Sequence, residues 1–78
     1  MEGVAAALGN MGLFYMRQSK LEKALEYRFK SLNIYEKLQN ERALGKSYST
    51  IGHNYNIIGD YDKALDYYNK SLDIKEKL

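Results

Sequence analysis

The sequence predicts an all-α fold in which two helical hairpins make one domain, about residues 1–40 and 41–78. Three observations lead there. Sliding the chain on itself by 40 residues lays Leu8 to Leu38 over Tyr48 to Leu78, and 13 of those 31 positions are identical, Gly12/Gly52, Tyr15/Tyr55, Ala24/Ala64, Ser31/Ser71 and Leu38/Leu78 among them. Within each copy the apolar residues recur at the 3.6-residue spacing of an amphipathic helix. No segment alternates apolar and polar residues as a half-buried strand would.

The first helix is expected near residues 3–17, with Val4, Leu8, Met11, Gly12 and Tyr15 on one side. The second is expected near 20–38, where Leu21, Ala24, Leu25, Arg28, Leu32, Tyr35 and Leu38 share a stripe. Ser19 and Glu22 have the spacing of a capping box at its start. Leu44, Tyr48, Ile51, Gly52, Tyr55 and Ile58 define the third helix, near 42–58. Gly59 then supplies a stop and Asp60 an N-cap. The fourth, near 61–77, carries Tyr61, Ala64, Leu65, Tyr68, Leu72, Lys75 and Leu78. Gly12 and Gly52 lie inside core stripes, where a missing side chain lets a second helix approach closely at a propensity cost of about 1 kcal/mol. Glu26–Lys30, Asp66–Lys70 and Asp73–Lys77 are acid-before-base pairs suited to solvated helix faces.

Composition narrows the function classes. Twelve Lys plus Arg against ten Asp plus Glu leave a net charge of +2, too small to imply a nucleic-acid or acidic-membrane partner. There is no Cys, which removes disulfides, thiolate nucleophiles and thiolate metal sites, and which fits a reducing, cytoplasmic compartment. No apolar run approaches the ~18 residues of a membrane span, and no leader-like start is present. His53 is the sole histidine and reads as a surface helix residue. Asp60 and Asp62 read as favourable charges at a helix N-terminus. The glycines assemble no phosphate loop. The expectation is therefore no catalysis, no cofactor and no metal.

Tyr48, Ile51, Gly52, Tyr55, Gly59, Asp60, Tyr61, Ala64, Leu65, Tyr68 and Leu72, with Leu8, Met11, Gly12, Tyr15, Leu21, Ala24 and Leu25 in the first copy, resemble the tetratricopeptide repeat signature. Three departures stand out: Arg28 replaces the aromatic seen at Tyr68, Ser19 replaces the inter-helix Gly, and Glu36 and Glu76 stand where that family often has Pro. The 40-residue period resembles a subgroup with an extended second helix. The resemblance implies a short right-handed solenoid of four antiparallel helices, whose first helices line a concave surface for a protein or peptide segment.

On that face the sequence places Asn10, Leu13, Arg17, Lys46, Ser49, Thr50, His53 and Asn56 as candidate ligand contacts. Their hydrogen-bonding groups and cations could hold a peptide backbone or an acidic group. The competing expectation is a homo-oligomer with no separate ligand, or a piece of a longer array, because about three repeats are usually needed to bury such a core. Tyr67 and Ile74, with no following repeat to cover them, are the expected self-association residues. The connection Gln39-Asn40-Glu41-Arg42 contains neither Gly nor Pro, so fusion of the second and third helices, with hairpin exchange between chains, is a further route.

Overall fold

The computed structural model describes residues 1–77; Leu78, assigned above to the last stripe, lies outside the described residues. Four helices follow in order: α1 (Glu2–Arg17), α2 (Leu21–Leu38), α3 (Glu41–Ile58) and α4 (Tyr61–Lys77). Each pairs with the next along the chain, α1 with α2, α2 with α3 and α3 with α4. Arg28 reaches back to Met16, Ser31 to Ala5 and Asn40 to Glu2, so α1 and α2 run antiparallel. The result is a slab of 31 × 27 × 14 Å, two helix layers thick.

Small residues let the helices of each hairpin close. Ala5, Ala24, Ile51, Ala64 and Leu32 form the buried apolar core. A Cβ on Gly12 would stand 2.8 Å from Arg28 Cγ and 3.2 Å from the Ala24 carbonyl oxygen. On Gly52 it would stand 3.0 Å from Tyr68 Cδ1 and 3.1 Å from the Ala64 carbonyl oxygen. Two buried hydroxyls pin the hairpins in the same register: Ser31 Oγ donates to the Ala5 carbonyl at 2.8 Å, and Ser71 Oγ to the Gly45 carbonyl at 2.7 Å. A stacked tyrosine pair also recurs, Tyr15 on Tyr27 and Tyr55 on Tyr67. Lys23 and Lys30 flank the first pair, and Lys63 and Lys70 the second, each about 5 Å from a ring centroid.

The turns differ from expectation in two places. Ser19 does not cap α2; it adopts φ 61°, and the Lys20 N–H bonds back to the Tyr15 carbonyl, just as the Asp60 N–H bonds to Tyr55 after Gly59 at φ 100°. Ser19 thus performs the left-handed turn that glycine performs in the second repeat. The Gln39–Arg42 connection does not continue the helix either. Gln39 turns left-handed at φ 53°, and the Asn40 side chain accepts from the Ala43 N–H, capping α3. The Asp60 cap forms as expected, accepting from the Lys63 N–H.

Several stripe residues stand exposed: Val4 and Met11 on α1, Leu38 and Ile58 at helix ends, and Tyr61, Leu65, Tyr68 and Leu72 on α4. α1 and α4 are the edge helices of a two-hairpin slab, so each has one packed side where α2 and α3 have two. Tyr67 and Ile74 correct the opposite way. Tyr67 is half-buried between Tyr55 and Tyr48 of its own hairpin and Phe29 of α2, and Ile74 is half-buried against Gly45, because both point toward α3. Of the acid–base pairs, Glu26–Lys30 closes at 3.7 Å, whereas Lys70 lies over the Tyr67 ring instead.

Candidate functional site

A cleft of about 270 Å³ opens between α1 and α3, with α2 as its floor. Its position follows from the repeat. α1 and α3 are the first helices of successive hairpins, and the small residues Ala5, Ala6 and Gly9 keep the α1 wall low. Asn10 and Leu13 complete that wall; Lys46 and Thr50 face them from α3. Four of the eight expected contact residues, Asn10, Leu13, Lys46 and Thr50, therefore meet in one cleft. Ser49 instead lines a second hollow of about 260 Å³, with Arg42, Gly45 and Ile74. Arg17, His53 and Asn56 are exposed on the same helices and line neither space. The Thr50 hydroxyl donates to the Ser47 carbonyl within its own helix at 2.9 Å, leaving its oxygen to accept.

The floor holds the residue that decides the cleft's chemistry. Arg28 is only 8% exposed, yet it lines the cleft. One terminal nitrogen, Nη2, points to the Met16 sulfur at 3.7 Å, a weak acceptor, and Nε is buried without a partner among the described residues. Burial pushes the guanidinium below its ordinary pKa. It stays charged at neutral pH nonetheless, because arginine starts so high. Among the described residues no Asp or Glu lines the cleft, so Arg28 on its floor and Lys46 on its α3 wall are two cations with no counter-charge inside it. Taking a charge out of water is unfavourable, and an anion that pairs with it offsets the cost. The absence of a side chain at Gly12 makes the burial possible, since the aliphatic stem of Arg28 occupies the space a Cβ would fill.

Sequence reasoning noted Arg28 as a departure from the aromatic at Tyr68 but did not count it among the ligand contacts. The available signal was its place on a core stripe, where a lone cation requires a reason. Asn54, fully buried with neither side-chain atom partnered among the described residues, had no signal at all, because its counterpart is the apolar Phe14.

Residues 3–77 match the tetratricopeptide repeat in a comparison with protein families. The chain belongs to the tetratricopeptide repeat family. No curated protein matches it. Tetratricopeptide repeats serve in general as non-catalytic scaffolds for protein interaction, and the cleft between α1 and α3 lies on the face formed by the first helices of the two repeats. No described helix is long and apolar enough to cross a membrane.

Proposed function

We propose that this tetratricopeptide repeat chain is a non-catalytic scaffold that binds an acidic segment of another protein in the α1–α3 cleft. The observation that carries this reading is Arg28: a buried guanidinium on the cleft floor, short of acceptors, beside Lys46 and away from any carboxylate. A ligand carboxylate entering the cleft restores the missing acceptor and neutralises the charge, which is worth more in a desolvated site than on open surface. Asn10 and Thr50 hold the ligand backbone, and Leu13 covers an apolar side chain next to the acid. Arg17, His53 and Asn56 extend the same face and contact the flanks of a longer segment.

An extended peptide carrying one Glu, titrated into the labelled chain, should shift the amides of Asn10, Arg28, Lys46 and Thr50. Glu→Gln in the peptide should weaken binding by about tenfold or more, the ~1.5–3 kcal/mol of a charge-assisted hydrogen bond. Arg28→Leu, which keeps the stem and removes the charge, should make the two peptides bind alike. Equal affinity for the Glu and Gln peptides in the unaltered chain would overturn the assignment.

A further inference from the structure

The edge helices carry, exposed, the same positions that the inner helices bury. Ile51 on α3 is 0% exposed and its counterpart 40 residues earlier, Met11 on α1, is 39% exposed. Leu32 on α2 is 5% exposed and its counterpart on α4, Leu72, is 53% exposed. Asn54 and Arg28 are buried, whereas Phe14 and Tyr68 at the corresponding places are not. α1 relates to α2 as α3 relates to α4, so what distinguishes inner from outer is the α2–α3 contact alone. The outer side of α4 is thus one half of that contact and the outer side of α1 is the other. The two halves carry the positions that meet in the α2–α3 contact, with different side chains at several of them.

We infer that a second copy of this chain docks its α1 on the outer face of α4, repeating between chains the α2–α3 contact within one. Two observations favour a second copy over bare solvation. First, the exchange improves the contact: Phe14 and Tyr68 stand where the internal version holds Asn54 and Arg28, the two side chains with unpartnered buried atoms. Polar Asn69 and Lys75 replace Phe29 and Tyr35 only where all four side chains are half-buried or exposed. Second, five of the seven residues that line the hollow beside α4, Gly45, Lys46, Ser49, Thr50 and Lys75, are the counterparts of Ala5, Ala6, Gly9, Asn10 and Tyr35 in the complete cleft. It lacks the far wall, and the counterparts of Leu13, Arg28 and Ser31 do not line it. The incoming α1 supplies that wall, setting Gly3, Ala6, Ala7 and Asn10 where Ala43, Lys46, Ser47 and Thr50 stand in the complete cleft. The contact is heterologous, so it does not close on itself, and chains add end to end. It does not rest on the ligand reading above, although Lys46 and Thr50 line both spaces.

Sedimentation of the chain over a range from micromolar to millimolar tests this. The mass should rise with concentration and pass twice the 9.0 kDa chain mass without a plateau there. Met11→Asp blocks the α1 face and Leu72→Asp blocks the α4 face; each variant alone should stay at the chain mass, and an equimolar mixture should form a 1:1 pair and stop. Both substitutions lie on exposed positions, and circular dichroism checks that the helices persist; Val4→Glu and Tyr68→Glu serve as second blocks of the same faces. An unaltered chain that stays at 9.0 kDa throughout would overturn the inference. So would either blocked variant pairing with itself, since that requires an isologous contact, or a mixture that fails to pair.

Discussion

Gly9 and Gly12 sit one turn apart on α1, and alanine at the two positions should move stability in opposite directions. Replacing a helix-interior glycine with alanine gains about 1 kcal/mol of propensity. At Gly9 the new Cβ meets only Ser31 Oγ at 3.7 Å, an ordinary contact, so the gain is kept. At Gly12 it arrives 2.8 Å from Arg28 Cγ and 3.2 Å from the Ala24 carbonyl. Cγ lies near the root of the arginine side chain and the carbonyl is backbone, so neither yields without moving α2. Overpacking of this kind costs about 1–3 kcal/mol, leaving Gly12→Ala a net loss of up to about 2 kcal/mol after the propensity gain. At about 4–8 °C per kcal/mol for a domain of this size, thermal melts followed by circular dichroism resolve both effects. The Arg28→Ala background supplies the coupling: with the stem gone, Gly12→Ala should lose the part of its penalty that Arg28 Cγ imposes and keep the part from the Ala24 carbonyl, and the cycle should return an interaction energy of about 1–2 kcal/mol. A melting temperature that rises equally for Gly9→Ala and Gly12→Ala would refute the claim that Gly12 makes room for Arg28.

Asn54→Leu removes two buried polar atoms that lack partners at nearly constant volume, and the melting temperature should rise by several degrees, the ~1–3 kcal/mol released when an unsatisfied group is removed; an unchanged or lower value would show that Asn54 is satisfied. Tyr67 has its phenol pKa raised, first by burial and then by neighbouring Tyr55, Tyr48, Asp66 and Glu36, and Tyr48 is raised by burial and Glu36. A raised folded-state pKa means the unfolded chain loses the proton first, so the stabilisation is full below the ordinary tyrosine range near 10 and is lost as pH climbs through the folded value. Urea midpoints between pH 8 and 11 should therefore fall more steeply for the unaltered chain than for Tyr67→Phe, and parallel curves would contradict the assignment.

The helices were legible because both signals that specify them are local. Apolar spacing and the 13 repeated positions place all four elements within a residue or so of where they form. The caps were half legible: Asp60 follows a glycine and caps, but Ser19 and Gln39 take left-handed turns that side-chain identity gives no reason to expect. Burial was the least legible quantity. A stripe says which side of a helix packs, and a helix with two neighbours needs two sides packed. Val4, Met11, Leu65 and Leu72 satisfy the pattern and still face outward, because their second neighbour would belong to another hairpin. Tyr67 erred the other way, since its partners Tyr55 and Tyr48 lie on the preceding helix. At the cleft, Asn10, Leu13, Lys46 and Thr50 were found by taking the side opposite the core, which is how a wall is found. Arg28 belongs to the floor, and that rule passes over it.

Position 28 and its counterpart 68 show how one repeat can serve two ends. Both lie against the glycine of the preceding helix, Arg28 at Gly12 and Tyr68 at Gly52, so the backbone accepts either side chain. Tyrosine there contributes apolar area to whatever stacks on the hairpin. Arginine contributes instead a charge that the fold leaves short of acceptors, and for an isolated chain that is a net cost. The cost is confined to the inner contact, where α3 already covers α2 and stacking does not depend on it. The chain thus carries its cationic floor inside and its apolar residues at the edges. An end-to-end assembly built from it would present the Arg28 cleft once per chain, alternating with a cleft built on Gly45, Ser49 and Ile74. An acidic segment with matching spacing would then engage successive Arg28 sites together, and its affinity would grow with the length of the stack without any new kind of contact.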